Sequence, residues 1–165
     1  MRKWLFAVAA VAFTAVASAQ PAAAAAPTRE PVKFSDTIVL TGVCAFPVNV
    51  TVTVTGSQTV FTDQNGTTTR VEVHTVEQDV FTANGKTLVG LPYRTNTHVL
   101  IDPQTGVETH VYATGVVQRV PLPGGGLFLT AGRLDVTAHP GTEFFLQPDV
   151  GAQGNVAGFC AALAP

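Results

Sequence analysis

The sequence predicts an all-β fold, a single antiparallel β-sandwich or a flattened β-barrel. Its clearest stretch is VNVTVTVTG at 48–56, where valines alternate with polar residues. Because successive side chains of a strand point to opposite faces, the valines line a buried face and the threonines an exposed one. No apolar stripe of helical period reaches ten residues in the rest of the domain. Short β-prone runs separated by Gly, Pro and Asn-Gly turns therefore predict roughly eight to ten strands.

The strands and their turns follow one another from Phe34 onward. Asn65-Gly66 and Asn84-Gly85 each stand between two β-prone runs, which predicts type I′ hairpins, since both central residues of that turn need a positive φ. Asp102–Gly106 predicts a longer turn, and Pro121–Gly126 predicts a loop. The last segment, DVGAQGNVAGFCAAL, loses the alternation and predicts a final turn of helix.

The N-terminus has the features of an export signal. A basic start, MRK, precedes Leu5–Val16, an apolar run of twelve residues, and the small residues at 17–19 place a cleavage site between Ala19 and Gln20. As a helix the run would span about 18 Å, which is shorter than a bilayer core of about 30 Å. We therefore expect a cleaved signal peptide at 1–19, a secreted or extracellular protein, and no membrane span in the mature chain.

The mature chain divides into a lead-in and one domain. Residues 20–33 are rich in Ala and Pro and lack apolar periodicity, so they predict a disordered lead-in. Residues 34–165 form the all-β domain. Without Arg2 and Lys3 the chain has 7 basic and 11 acidic residues, a net charge of −4. An acidic chain without a basic cluster argues against nucleic acid and anionic membranes as partners.

The mature chain contains two cysteines, Cys44 and Cys160. An even count in an oxidising compartment predicts one disulfide, which would join the first strands to the last residues. The alternative is a reactive thiol, but neither cysteine has a histidine or a basic residue beside it in the sequence.

Residues for covalent catalysis are scarce, and we predict no catalytic residue and no cofactor. The mature chain has only Ser35 and Ser57 as serines, and neither lies in a Gly-x-Ser-x-Gly motif. Ser57 follows Gly56, and we interpret it as a turn residue at a strand end. The segment LPGGGLF lacks the Lys-Ser/Thr ending of a phosphate-binding loop and leads into a strand.

The histidines suggest one alternative, a metal site. Glu72 and His74 lie two residues apart on one strand, as do Glu108 and His110, and His98 or Tyr112 could lie nearby. Neighbouring strands could bring these groups together around zinc or another divalent ion. The solvent side of an antiparallel sheet has the same composition, however, and no single element carries a metal-binding spacing. We therefore predict no metal ligand, and leave open whether the two pairs converge.

Several segments together resemble a known group of proteins. CAFPVNVTVTVTG, FTDQNGTTTRV, DPQTGVETHVYATG, LPGGGLFLTAG and the terminal FCAAL are similar to those of small secreted actinobacterial proteins with two cysteines. The resemblance covers most of the mature chain, and its motifs are turns and cysteines. It implies bacterial export and a Cys44–Cys160 bond, and it carries over no catalytic residue.

The function these observations favour is that of a secreted non-enzymatic protein, active in binding or cell-surface interaction through loops or strand faces. Three loops are the expected binding elements: Gly56–Thr67, Leu91–Thr97 and Pro121–Gly126. The partner, an envelope component or a small molecule, stays unidentified. One alternative is a small-ligand carrier or small enzyme that uses a barrel interior. Another is a structural envelope component that self-associates.

Overall fold

The structure is a computed structural model that describes residues 26–139 and 150–165, so the predicted signal peptide with its Ala19/Gln20 site lies outside the described residues. The described part forms one sheet of eight strands and one helix. In chain order they are β1 (Thr28–Leu40), β2 (Val48–Thr62), β3 (Thr68–Ala83), β4 (Lys86–Val89), β5 (Tyr93–Ile101), β6 (Glu108–Pro121), β7 (Leu127–Asp135), β8 (Val150–Ala152) and α1 (Val156–Leu163).

The sheet confirms the all-β, antiparallel prediction. Its strands follow the order β1-β2-β3-β5-β6-β7-β8, and every neighbouring pair is antiparallel. The long strand β3 is shared: its first part, from Arg70 to Glu77, pairs with β5, and its last part, from Val80 to Ala83, pairs with β4. The ladder is thus a single sheet rather than the two sheets of a sandwich, and no pairing among the described residues joins β1 to β8 to close a barrel.

The inner face of the sheet carries the core, as the alternation in β2 predicts. Val48, Val50, Val52 and Val54 are all buried. Helix α1 packs on this face through Phe159, whose ring lies 5.0 Å from the ring of Phe81 on β3 and 5.0 Å from that of Phe128 on β7. All three rings are fully buried. Aromatic contacts at this separation add to the stabilisation from area burial, so α1 anchors distant strands to each other.

A disulfide fixes α1 to the start of the sheet. Cys44 and Cys160 are bonded across 116 residues of chain, as predicted, and the described residues contain no free cysteine. The reactive-thiol alternative is therefore wrong. Asn84, in the β3–β4 turn, adds a hydrogen bond from Nδ2 to the Leu163 carbonyl at 2.9 Å.

Strand β1 begins earlier than the sequence predicts. Thr28–Lys33 pair with β2 from Thr55 to Val60, so they belong to the sheet and not to a disordered lead-in. Pro31 lies within this strand, where the missing N–H is tolerated because β1 is an edge strand. The consequence is that Arg29 is held on the sheet.

The two Asn-Gly pairs form different turns. Asn84 (φ 50°) and Gly85 (φ 75°) are both left-handed and connect Ala83 directly to Lys86, as a type I′ hairpin requires. The first pair does not follow the prediction: Gly66 is left-handed, but the loop is wider. Asp63 Oδ1 organises it by accepting hydrogen bonds from the backbone N–H of Asn65 (2.8 Å) and of Thr67 (2.9 Å). The Asp63 carboxylate thus stabilises a wider loop in place of the predicted two-residue type I′ turn.

We expect removal of the disulfide to lower the free energy of unfolding strongly. A closed loop of this length is worth about 4–5 kcal/mol in the chain-entropy model. Urea unfolding of Cys44→Ser/Cys160→Ser should therefore show a loss approaching that value. The wild type in reductant serves as a matched control, and its unfolding curve should coincide with that of the double variant. Reductant should not change the unfolding curve of the double variant. An unchanged unfolding midpoint in the double variant would show that the bond does not hold the two ends.

Candidate functional site

The outer face of the sheet carries a row of polar side chains set by strand register. Ser57 on β2 lies opposite His74 on β3, and His74 lies opposite Asn96 on β5. His74 Nδ1 is 2.6 Å from Asn96 Oδ1. An amide oxygen can only accept, so Nδ1 carries the proton and the Nε2 edge of the ring stays available. The row fixes the imidazole in one orientation on the outer face.

Arg29 reaches this row from the edge strand. Its Nε and Nη2 donate to Ser57 Oγ at 3.1 and 2.9 Å. Ser57 lies within β2, so the sequence-based interpretation of it as a turn residue at a strand end is wrong. Gly56, beside it, is required by close approach, because any Cβ there would overlap the carbonyl of His74. Strands β2 and β3 can therefore lie close together beneath the site.

These side chains border a depression of about 560 Å³, which we call the outer depression. Arg94, on β5, adds a second guanidinium, and the described residues that line the space include no carboxylate. Among the described residues, neither Arg29 nor Arg94 forms an ion pair. The lining consists of Arg29, Thr55, Gly56, Ser57, His74, Thr75, Val76, Arg94 and Asn96.

Ser57, His74 and Asn96 are the residue types of a nucleophile, a base and an orienting amide. A serine nucleophile must donate its hydrogen bond to the base. The hydrogen bonds between described residues include none from Ser57 to His74, and Ser57 Oγ instead receives both bonds from Arg29. In the described part of the chain, the row therefore lacks the serine-to-histidine hydrogen bond of a catalytic triad.

Next to the depression, four strands contribute an aromatic band. His98 on β5 stacks on Tyr112 on β6, with ring centroids 4.8 Å apart and planes at 14°. The Arg133 guanidinium on β7 lies 4.5 Å from the Tyr112 ring centroid. Glu72 Oε1 on β3 is 3.8 Å from His98 Nδ1, and on the other side His110 Nε2 is 3.4 Å from an Asp135 carboxylate oxygen. The band is a surface that combines aromatic rings with charged side chains of both signs.

The two Glu/His pairs do not converge at one point of the sheet. Glu72 and His110 both lie in the aromatic band, separated by the rings of His98 and Tyr112. His74 belongs to the outer depression, and Glu108 is exposed at the start of β6, opposite Ile101. Among the residues that the structure describes, no group of three or more His, Cys, Asp or Glu side chains is arranged to hold a metal ion.

Two of the three predicted binding loops are mostly strand. Strand β2 extends to Thr62, and β5 begins at Tyr93, so Gly56–Thr67 and Leu91–Thr97 contain only short connections. Pro121–Gly126 does form a loop before β7. Together with β4 and α1 it borders a larger open groove of about 800 Å³, in which Lys86 is the only charged residue among the described residues of the lining.

The inner face of β3 contains a buried carboxyl group that sequence reasoning missed. Asp79 has no solvent exposure, and its Oδ2 accepts a hydrogen bond from the Tyr93 hydroxyl at 2.7 Å. Burial raises the pKa of Asp79 from 3.8 to about 6, and the nearby Glu77 carboxylate adds to the rise, while the Tyr93 hydrogen bond opposes it. Burial, and then the Asp79 charge, also raise the pKa of Tyr93. The charged form of Asp79 is therefore costly in the folded protein.

No protein-family model, no curated protein and no solved structure matches this chain. Within residues 26–139 and 150–165, the single helix is too short to span a bilayer.

Asp79→Asn should remove a pH dependence of stability. The folded-state pKa of about 6 exceeds the ordinary 3.8, so the folded protein takes up the proton first as pH falls. The cost of burying the charge is present above pH 6 and disappears below about pH 4, with an upper limit of about 3 kcal/mol. In urea unfolding, the variant should be more stable than the wild type at pH 7.5, and this advantage should vanish near pH 4.

The matched control is Asp36→Asn, the same change at an exposed position on β1, and it should show no such pH-dependent difference. An Asp79→Asn effect of equal size at both pH values would mean that ionisation of Asp79 does not oppose folding.

Proposed function

We propose that this chain is an exported, non-catalytic binding protein that holds its ligand in the outer depression. The observation that carries the proposal is the fixed row of Ser57, His74 and Asn96, whose side chains are oriented by neighbours on four adjacent strands. A site whose polar groups are already held in place loses little conformational entropy when a ligand binds. Strands also position such groups more rigidly than loops do.

Export is supported by features at opposite ends of the chain. The basic start, the apolar run Leu5–Val16 and the small residues at 17–19 are typical of a secretory signal. The Cys44–Cys160 bond is of the kind that persists in oxidising compartments. The resemblance to small secreted actinobacterial proteins agrees with both, and we take actinobacterial export as part of the proposal.

The packing of the inner face favours the outer surface over a ligand-filled interior. Phe81, Phe128, Phe159 and Leu163 fill the space between the sheet and α1, and each is fully buried. A small-ligand carrier would instead need a cavity lined by the inner faces of its strands. The outer depression, at about 560 Å³, lies within the usual size range of small-molecule sites.

The aromatic band gives the proposal a second contact surface beside the depression. Glu72 is two residues from His74, and His98 is two residues from Asn96, so the band continues the same face along β3 and β5. Tyr and Arg are enriched where proteins bind partners, because they combine apolar area with hydrogen-bonding groups. A ligand larger than the depression would extend over Tyr112 and Arg133.

Native mass spectrometry of the protein recovered from its own culture medium tests this function. The wild type should carry a non-covalent additional mass. His74→Leu/Asn96→Leu should lose it, because both members of the fixed pair are replaced. Asn49→Leu is the matched control. It makes the same Asn-to-Leu change on the same face of the sheet, but near the start of β2 and away from the depression, so this variant should keep the additional mass. A wild type of sequence mass alone, or an additional mass retained by the double variant, would contradict the proposal.

A further inference from the structure

We infer that the ligand of the outer depression is a compact molecule that carries an oxyanion and binds between Arg29 and Arg94. The oxyanion is either a carboxylate or a phosphate group. This inference rests on the proposed function and specifies its ligand class. Its first support is charge. The described lining holds two guanidinium groups and no acidic side chain, although the chain as a whole has more acidic than basic residues. Both arginines lack an ion-pair partner among the described residues.

The second support is the way Arg29 is held. Ser57 Oγ occupies the edge of the guanidinium formed by Nε and Nη2. A guanidinium has five N–H donors in a rigid plane, so the edge containing Nη1 keeps its donors. That edge matches the two oxygens of a carboxylate or phosphate, which arginine binds through paired hydrogen bonds. Ser57 therefore orients Arg29 and leaves its anion-binding edge to a ligand.

The third support is the spacing of the two cations. Arg29 is on β1 and Arg94 is on β5, which are three strands apart across β2 and β3. The register places Arg29 level with His98, four residues along β5 from Arg94. At about 4.8 Å between strands and about 3.3 Å per residue, the two Cα atoms are roughly 14 Å apart across the sheet and about 13 Å along it, or roughly 20 Å in all. Arginine side chains extending from both sides leave room between them for a small molecule, in agreement with the volume of about 560 Å³. The charges thus bracket the row of Ser57, His74 and Asn96.

The centre of the depression supplies hydrogen bonds of both kinds. The imidazole of His74 uses Nδ1 on Asn96 and keeps Nε2 for a ligand, while Asn96 keeps its Nδ2 donors. Ser57 accepts from Arg29 and retains its own hydroxyl proton as a donor. These groups suit the hydroxyl and oxyanion oxygens of a small organic acid or phosphorylated molecule.

Titration of the labelled protein with inorganic phosphate and with citrate, followed by NMR, tests the inference. Chloride at equal ionic strength is the reference. Saturable shifts should appear at the Nε–H signals of Arg29 and Arg94 and at the side-chain amide of Asn96 with at least one of the two oxyanions. A response to citrate alone assigns the ligand to carboxylates, and a response to phosphate alone assigns it to phosphates.

The variants Arg29→Gln and Arg94→Gln should each weaken oxyanion binding by roughly tenfold or more, since each loses charge-assisted hydrogen bonds. Arg119→Gln, at an exposed position on β6 outside the depression, is the matched control and should bind as the wild type does. Unchanged backbone amide signals far from the site would establish that each variant is folded.

Two outcomes would overturn the inference, and they separate it from the proposed function. If neither oxyanion shifts these signals beyond the chloride reference, while the wild type from culture medium still carries a mass that His74→Leu/Asn96→Leu loses, the depression binds an uncharged ligand and only the ligand class is wrong. If there is neither an oxyanion response nor a co-purifying mass, both the ligand class and the binding function fail.

Discussion

The pairing register of β3 is the constraint on which the rest of this structure depends. This strand pairs with β2 along most of its length, and with β5 and then β4 on its other side. Side chains alternate between faces, so the register that buries Phe81 also places His74 outside, between Ser57 and Asn96. A slip of one residue would exchange the two faces of a strand, and both the core and the outer depression would be lost. The core therefore specifies the site.

The irregular pairings of the sheet lie away from this row. Register shifts occur at Phe61/Thr62, Leu100/Ile101 and Val116/Gln118, near the ends of strands or on β6. On the inner side, α1 packs against the sheet through Phe159, and the Cys44–Cys160 bond fixes α1 in place. The outer row gains its rigidity from this packing, since the strands that carry it cannot separate without exposing the core.

Asp79 and Tyr93 are an exception to the apolar inner face. A carboxyl without solvent exposure opposes folding when charged, and its hydrogen bond to Tyr93 offsets only part of that cost. The pair lies on β3 and β5, the same strands that present His74 and Asn96 outside. The strands β3 and β5 therefore carry polar side chains on both faces of the sheet.

The sequence alone predicted features that depend on local chemistry. The valine alternation of β2, the Asn84-Gly85 hairpin and the single disulfide all follow from neighbouring residues or from cysteine count, and the structure confirms them. The binding site could not be derived in this way. A spacing of two residues indicates that Glu72 and His74 share a face of the strand. It does not indicate which residue of the next strand lies opposite, because register is set by packing between residues distant in the sequence.

Arg29 and Ser57 illustrate the same limit. Arg29 lies in a segment rich in Ala and Pro, whose composition indicates disorder, yet an edge strand accepts Pro31 and extends across it. Ser57 follows a glycine that resembles a strand end, but that glycine is required by the close approach of two backbones. For Ser57, the signal would have been the β-prone runs on both sides of Gly56-Ser57, which form one long strand and not two short ones. The Ala/Pro-rich residues before Arg29 give no such signal.

The most direct test of this account is a measurement of the β2–β3–β5 register by NMR of the isotopically labelled protein. Interstrand backbone NOEs should connect Ser57 with His74 and His74 with Asn96, with all three side chains on the face opposite Phe81. Hα–Hα or HN–HN NOEs, which join directly opposite residues, that instead connect His74 with Gln58 or with Thr97 would place the strands one residue out of this register. That result would contradict the outer depression and every function attributed to it.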